Sequence, residues 1–315
     1  MTYGMAELKV FESWYEKAGV RSTPRRITPE DKDILKSFFP KHIVPHLNHP
    51  LLEAQEEPLK RYVEAQHLYQ WLNFTAEFEV SVVLRSTQRI ADNKSGLELS
   101  RRVRMDAFKI CVDENYHALY SMDAVDQIER RSGIKSLDYE FAPFLARLDG
   151  VADAHPQHRL LVQLLQVVVF ETLITSLLND VPKDPGVITL VRDIVRDHAI
   201  DEGRHHAYFA EFFRHLWGQL GPGERRLVAH LLPQVIVESL QPATRSARTA
   251  LAQAGLSDGA VRTIIEDSYN RQAVMAGIVY ASARTVALFE ECGVLDVPGA
   301  REAFHRAGFP QAAPQ

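Results

Sequence analysis

The chain has few cysteines and no long uninterrupted apolar run. Two thiols in 315 residues cannot build the disulfide framework of a small secreted domain, and they are typical of a protein made in a reducing compartment. The longest apolar run, residues 160–170, is broken by Gln163 and Gln166 and is too short to span a bilayer. The start carries the acidic Glu7 and Glu12 without the apolar segment of a signal peptide. We therefore expect a cytoplasmic protein with no membrane partner.

An excess of positive charge is also missing. Lys and Arg number 36 against 41 Asp and Glu, so the net charge of −5 offers no field that would attract a phosphate backbone. Neither a Gly-rich phosphate loop nor a convincing strand alternation is present. Nucleic acid is therefore excluded as a partner. Hydrophobic residues make up 46% and charged residues 24%, the balance of a folded globular protein rather than a disordered one.

Helical periodicity extends along almost the whole chain and predicts an all-α fold. The predicted helices lie near 5–18, 29–38, 62–92, 100–130, 157–180, 185–217, 223–242 with a kink at Pro233, and 258–290. The tail from Pro310 to Gln315 is predicted to be unstructured. Because no Pro/Gly/Ser-rich linker divides the chain, we expect residues 1–315 to form one domain. Its four-helix core is expected at about 62–217, and its additional helices at 223–290.

One glutamate interrupts the apolar face of each of the four long helices. These glutamates are Glu79, Glu114, Glu171 and Glu202, and each continues an apolar series spaced by three or four residues. On the first helix Glu77 is the alternative inward residue. Burying an isolated carboxylate costs on the order of several kcal/mol, so four of them require compensation. Two divalent metal ions would balance the four negative charges.

Two Glu-x-x-His motifs specify the metal site further. In Glu114–His117 and Glu202–His205 the two side chains are about 4.5 Å apart along the helix axis, so both can reach one metal ion. The other two glutamates could bridge or cap the metal pair from opposite sides, as in helical-bundle dimetal carboxylate proteins. Oxygen and imidazole ligands favour two iron ions, with manganese or an iron–manganese pair as alternatives.

Three further polar residues lie beside these motifs. Asp113 and Asp201 directly precede the motif glutamates. They could be exposed helix charges, or each could hold the ligand histidine of the opposite helix in one tautomer. His198 lies four residues before Glu202 on the same helix face, and it could be a hydrogen-bonded core histidine or a third imidazole ligand. The spacing leaves both alternatives open.

The chain resembles the p-aminobenzoate N-oxygenase (AurF-like) non-haem diiron family over roughly residues 65–215. The resemblance rests on the type, order and approximate spacing of seven residues: Glu79, Glu114-x-x-His117, Glu171 and His198-x-x-x-Glu202-x-x-His205. The paired motifs occur in many ferritin-like proteins, and His198 is what points to this family. The resemblance implies a ferritin-like bundle with extra N- and C-terminal helices and a diiron centre held by these seven residues.

The same resemblance implies an O₂-dependent oxidation of an amine, typically an arylamine, through hydroxylamine and nitroso stages to a nitro compound. It also implies a role in natural-product or antibiotic biosynthesis and a homodimer. Since no flavin or nicotinamide fingerprint is present, a reductase or ferredoxin would supply electrons. A diiron carbon hydroxylase or desaturase remains an alternative, and a ferritin-like iron-oxidising or storage protein is less favoured because storage subunits are usually shorter.

The sequence assigns neither a separate catalytic acid or base nor a substrate pocket. Five residues within one turn of the predicted ligands could line a pocket or simply pack: Phe78, Tyr116, Phe170, Arg204 and Tyr208. Arg271 or Arg284 could bind a substrate carboxylate if the last long helix packs near the site.

Overall fold

The protein is an all-α helical bundle, as the periodicity predicts. The computed structural model describes residues 5–28 and 32–310, apart from the side chains of residues 175–177. Within these ranges no β-strand is formed, and the isolated bridge between Ser37 and Val187 is the extent of β pairing.

The α-helices of the described ranges follow one another along the chain. They are α1 (Trp14–Lys17), α2 (Gly19–Ser22), α3 (Pro50–Glu53), α4 (Glu57–Phe78), α5 (Arg85–Ala91), α6 (Arg101–Ser132), α7 (Ala142–Asp153), α8 (Arg159–Leu177), α9 (Thr189–Gln219), α10 (Pro222–Leu240), α11 (Thr244–Gln253), α12 (Asp258–Ser268), α13 (Arg271–Glu291) and α14 (Ala300–Ala307). A π-helical segment, Glu79–Leu84, joins α4 to α5. Short 3₁₀ turns occupy Lys9–Phe11, Asp33–Leu35, Lys41–Ile43, Pro45–Asn48, Pro156–His158, Val181–Lys183 and Val294–Asp296.

The four-helix core consists of α4 with the π segment and α5, α6, α8, and α9. These elements agree with the predicted helices to within a few residues. Adjacent core helices run antiparallel. On α9 the Tyr208 hydroxyl donates to the Val103 carbonyl near the start of α6, while Asp201, earlier on α9, reaches His117 further along α6. The apolar faces of all four helices are buried in a common core, which stabilises the bundle by roughly 25 cal/mol per Å² of apolar surface removed from water.

The N-terminal predictions are wrong. Instead of one helix near 5–18 the structure has the 3₁₀ turn Lys9–Phe11 and the single turn α1, because Leu8 is extended and Ser13 departs from helical geometry. The helix predicted near 29–38 falls partly outside the described residues, and its described part contains only the 3₁₀ turn Asp33–Leu35. The Asp33 carboxylate accepts hydrogen bonds from the backbone N–H and hydroxyl of Thr189, at 2.7 and 2.9 Å. This residue therefore caps α9 rather than continuing a helix of its own.

The C-terminal helices differ from the prediction in their number and in one boundary. The helix predicted near 258–290 is divided into α12 and α13, because the Asn270 side chain accepts a hydrogen bond from the Ala273 N–H and starts a new helix. The helix predicted near 223–242 is α10, with Pro233 in its interior. The unpredicted α7, α11 and α14 are short and pack around the core. Of the tail predicted to be unstructured, Pro310 to Gln315, residues 311–315 lie outside the described residues, and Pro310 is in no helix.

Among the described helices, α13 is long and apolar enough by length and composition to cross a membrane. A core helix of a soluble protein can meet the same criterion. The side chains of Ser282, Thr285 and Phe289 are buried against the bundle, and the Thr285 hydroxyl donates to the hydroxyl of Thr172 on α8 at 3.0 Å. The criterion alone therefore does not place α13 in a membrane.

Candidate metal centre

The first core helix contributes Glu79 to the interior of the bundle. Glu79 begins the π segment and is only 2% exposed. Glu77 is exposed and accepts a hydrogen bond from the Ser81 hydroxyl. Single π turns often occur at functional sites, because the extra residue re-aims the side chains of a helix. The structure thus brings Glu79, and not Glu77, to the other three glutamates.

The seven predicted ligand residues meet in two overlapping groups. The first group is Glu79, His117, His198 and Glu202, and the second is Glu114, Glu171, Glu202 and His205. Within each group the potential ligand atoms all lie within 4.8 Å of one another, and every member is buried. Glu202 belongs to both groups. The arrangement can therefore hold two metal ions that share one carboxylate.

Both motif glutamates lie between the two motif histidines. The Glu114 oxygens are 3.2 Å from His117 Nδ1 and 2.9 Å from His205 Nδ1. Glu202 Oε1 is 3.4 and 3.1 Å from the same two nitrogens. The sequence led us to expect each motif to reach one metal ion of its own. In the structure each motif glutamate is instead within reach of both histidines.

The third histidine lies in the first group. His198 Nε2 is 3.3 Å from Glu202 Oε1 and 3.5 Å from Glu79 Oε1, and its ring centroid is 4.1 Å from that of His117. No hydrogen bond of acceptable geometry reaches this nitrogen from the described part of the chain. Because Nε2 is buried and unsatisfied, its position favours the ligand alternative over a hydrogen-bonded core histidine.

Unsatisfied lone pairs show that these residues fit a metal pair. Five ligand-type atoms are buried without a hydrogen-bond partner in the described ranges: Glu79 Oε2, Glu114 Oε1, Glu171 Oε2, His198 Nε2 and Glu202 Oε2. Leaving such atoms unpaired is costly, and cations would satisfy all five together. Burial raises the pKa of the nearby Cys111 thiol to about 12, so that thiol stays protonated. The donor set is therefore oxygen and imidazole, which suits iron or manganese.

Two aspartates contact the motif histidines at Nε2, the ring nitrogen that faces away from the four glutamates. Asp113 Oδ2 on α6 is 3.2 Å from His205 Nε2 on α9, and Asp201 Oδ2 on α9 is 3.4 Å from His117 Nε2 on α6. A proton held on Nε2 by a carboxylate leaves the Nδ1 lone pair directed at the centre. The structure thus brings each aspartate to the histidine of the opposite helix, and neither aspartate is exposed.

Sequence reasoning missed the N-terminal turns that cover these aspartates. The Trp14 indole N–H donates to Asp113 Oδ2 at 2.8 Å, and the Gly19 backbone N–H donates to Asp201 at 3.3 Å. A Cβ on Gly19 would lie 2.7 Å from Asp201 Oδ2, so only glycine allows this approach. Arg204 completes the contacts of Asp201 with a guanidinium hydrogen bond. Helical periodicity carries no signal for such single contacts.

Replacing Trp14 by phenylalanine is expected to weaken metal binding by about 10-fold, because Asp113 loses the donor that fixes its carboxylate. Metal affinity can be measured by competition with a chelator of known strength. Trp71→Phe, the same substitution on α4 beside Phe39, is the matched control and should leave affinity unchanged. Equal affinities for the two variants would show that Trp14 does not position the centre.

The electrostatics of the cluster indicate that metal binding displaces protons. Burial and the neighbouring Glu79 raise the pKa of Glu114 well above its usual value, and burial and Glu202 do the same to the pKa of Glu171. Burial alone would raise the pKa of Glu202 and lower the pKa of His205. The attraction between the two side chains outweighs burial, so the pKa of Glu202 is lowered and the pKa of His205 is raised. Metal ions compete with these protons, so metal affinity should rise with pH.

Some of the residues that the sequence suggested as lining a substrate pocket pack inside the bundle or are exposed, and one of them lines a cavity. Phe78 and Phe170 pack against each other with ring centroids 3.7 Å apart, and the Tyr208 hydroxyl donates a hydrogen bond to a backbone carbonyl. Arg271 and Arg284 are exposed on α13.

Tyr116, in contrast, lines a cavity of about 260 Å³ together with Tyr120 and Ile194. The Tyr120 ring is 5.5 Å from the His117 ring and 6.0 Å from the His198 ring, so this cavity lies beside the first group. Sequence reasoning did not identify Tyr120, although it lies one turn after His117.

Two comparisons show which known proteins this chain is similar to. The family model described as P-aminobenzoate N-oxygenase AurF matches residues 21–293, a span that includes all seven candidate ligands. The 4-aminobenzoate N-oxygenase of Streptomyces thioluteus is 25% identical over 250 residues, which cover 70% of this chain and 72% of that protein. Trp14 and Gly19 lie before the matched span.

Proposed function

The chain belongs to the p-aminobenzoate N-oxygenase AurF family, and from that premise we propose that it is a diiron enzyme that uses O₂ to oxidise an arylamine. The oxidation proceeds through hydroxylamine and nitroso stages to a nitro compound. The observation that carries the proposal is the pair of buried four-residue groups that share Glu202. The relative's name, 4-aminobenzoate N-oxygenase, supports an arylamine substrate.

The residues of the chain would bind the two metal ions and orient the ligands of the centre. Two iron ions would supply the oxygen-activating redox chemistry. Four carboxylates and three imidazoles would hold them, and Asp113 and Asp201 would keep two of the imidazoles in the required tautomer. In the first step one oxygen atom of O₂ enters an N–H bond of the amine. The other is reduced to water with two electrons from an external reductase or ferredoxin and two protons from solvent.

The cavity beside the first group is the proposed place of the arylamine. Its volume of about 260 Å³ exceeds the roughly 150 Å³ that accommodates a benzene ring in an engineered protein cavity. Tyr116, Tyr120 and Ile194 give it aromatic and aliphatic walls. Arg25 and Arg26 also line it, and each is paired with an aspartate. The ring of an arylamine would pack on the apolar walls with its nitrogen directed to the centre.

We also propose that residues 1–315 work as one domain in the cytoplasm, in a natural-product pathway. The packing of α10 and α13 against α8 supports a single domain, because the additional helices share the core of the four-helix bundle.

The test is to load the protein anaerobically with ferrous iron, then add O₂ and 4-aminobenzoate or another arylamine. We expect about two iron ions per chain and N-oxygenated products that carry the label of ¹⁸O₂ in mass spectrometry. Iron-free protein is the control. Products oxidised on carbon would indicate a hydroxylase or desaturase, and a large iron-loaded multimer without product would indicate storage. Fewer than about half an iron ion per chain would contradict a diiron centre.

A further inference from the structure

The cavity beside the first group carries equal numbers of positive and negative side chains. Its charged lining residues in the described part of the chain are Arg25, Arg26, Asp123 and Asp197. Two arginines and two aspartates together have no net charge. The other lining side chains are apolar or carry a hydroxyl or an amide. The cavity therefore offers no excess of positive charge to an acidic substituent on the ring of an arylamine.

Each of the two arginines is already bound to an aspartate through two hydrogen bonds. Arg25 donates from Nε and Nη2 to the two oxygens of Asp123, at 3.0 and 2.6 Å. Arg26 donates from the same two nitrogens to Asp197, at 2.8 and 3.0 Å. Such a pair occupies the planar fork with which a guanidinium binds a carboxylate. A substrate carboxylate would have to displace one of these aspartates or lie beside its negative charge.

The amide that lines the cavity is committed as well. Gln127 Nε2 donates to Asp123 Oδ2 at 2.8 Å and to the Arg26 carbonyl at 2.9 Å. Gln127 Oε1 accepts a hydrogen bond from the Thr28 N–H at 3.1 Å. The amide and the two ion pairs thus form one network that joins the N-terminal segment to α6 and α9. Because its members share partners, moving one arginine toward a substrate carboxylate would disturb several hydrogen bonds together.

The neighbouring centre does not supply the missing positive charge. Two divalent ions held by four glutamates are neutral together, and Asp113 and Asp201 at the motif histidines add negative charge. Arg204 pairs with Asp201 and balances one of these two aspartates. A carboxylate buried without a cation of its own is strongly disfavoured. An acidic substrate would therefore bury its charge uncompensated at either end of the cavity.

We propose that the substrate of this chain is an arylamine whose ring carries no charged substituent, in contrast to 4-aminobenzoate. The proposal rests on the proposed function and narrows the substrate within it. Leu190, Ile194, Tyr116 and Tyr120 provide apolar walls that pack on an uncharged ring. The two ion pairs act against an acidic analogue. Specificity of this kind comes from penalising the wrong ligand as much as from contacts to the right one.

Two ligands of nearly the same shape test the proposal. 4-Aminobenzamide and 4-aminobenzoate differ mainly in the charge of the ring substituent. Isothermal titration calorimetry at pH 7 measures their dissociation constants on the iron-loaded, oxidised protein without an electron donor, so neither ligand is consumed. Wild-type protein should bind the amide at least about 10-fold more tightly than the carboxylate.

Removing one negative charge from the network should reverse this preference. Asp197→Asn keeps the size of the side chain, but it frees the positive charge of Arg26 to bind a carboxylate. The affinity for 4-aminobenzoate should rise at least about 10-fold, and that for 4-aminobenzamide should stay within about twofold. Asp123→Asn is the second variant if the first does not fold. Asp149→Asn removes the partner of Arg85 outside the cavity, and this matched control should leave both affinities unchanged.

The outcomes distinguish the substrate class from the proposed function. Tighter binding of 4-aminobenzoate than of 4-aminobenzamide by wild-type protein would overturn the substrate class. An Asp197→Asn variant that binds 4-aminobenzoate no better than wild type would overturn it too. Equal affinities followed by oxidation of both ligands on nitrogen would remove the substrate class and leave the proposed function intact. Binding of neither ligand by any variant would contradict both the substrate class and the placement of an arylamine in this cavity.

Discussion

Replacing Glu202 by alanine should remove both metal positions at once. Glu202 is the member common to the two groups, and its Oε1 lies within 3.4 Å of three histidine nitrogens, those of His117, His198 and His205. Without this carboxylate neither group keeps its charge balance. We expect iron to fall from about two ions per chain to less than half an ion, and amine oxidation to fall at least about 1,000-fold.

Glu171→Ala provides the comparison, because Glu171 belongs to the second group alone. This variant should keep about one metal ion per chain, bound by the first group. Glu77→Ala is the control on an exposed carboxylate and should keep the full complement. Metal content is measured by elemental analysis after removal of loosely bound ions. If Glu202→Ala retains two ions, the two groups are not the metal positions.

The clustering of the seven candidate ligands could be predicted from the sequence because the signal is local. A carboxylate that continues an apolar row must lie on the buried side of its helix, and a histidine three residues later must lie beside it. The preference for Glu79 over Glu77 followed from that row, and the structure buries Glu79. How the helices approach one another is not local information. The position of Glu114 and Glu202 between both histidines therefore became apparent only in the folded bundle.

The parts that were mispredicted share a different cause. Periodicity detects long helices that pack against a core, whereas Trp14 and Gly19 act through single hydrogen bonds from short turns. The break between α12 and α13 was hidden because apolar residues keep a helical spacing through it. One side-chain contact, from Asn270 to the Ala273 N–H, decides the boundary. Such contacts depend on individual donors and acceptors, which a pattern of hydrophobicity does not resolve.

Replacing Glu171 by glutamine should stabilise the metal-free protein while weakening its metal binding. Burial and the nearby Glu202 and Glu114 raise the pKa of Glu171 well above its usual value of 4.5. Between pH 4.5 and the raised pKa, the carboxyl group ionises in the unfolded chain but stays protonated in the folded protein. The free energy of unfolding of the metal-free protein therefore decreases as pH rises through this window. Glutamine cannot ionise, so in the variant this position no longer lowers the free energy of unfolding as the pH rises.

Urea unfolding of the metal-free proteins between pH 5 and pH 8 measures the effect. At neutral pH the variant should be more stable than wild type by about 1–3 kcal/mol, and the difference should shrink toward pH 5. Adding ferrous iron at about 100 times the dissociation constant should stabilise wild type by about 3 kcal/mol and the variant by less.

Glu64→Gln is the matched control for these measurements. Glu64 is also buried, but it accepts a hydrogen bond from the Phe39 N–H and lies outside the two groups. This variant should keep the full stabilisation by iron, because the change leaves the centre intact. A Glu171→Gln variant that is less stable than wild type without metal, at every pH, would mean that the carboxylates are a structural network. The raised pKa would then reflect hydrogen bonds needed for folding rather than a site arranged for cations.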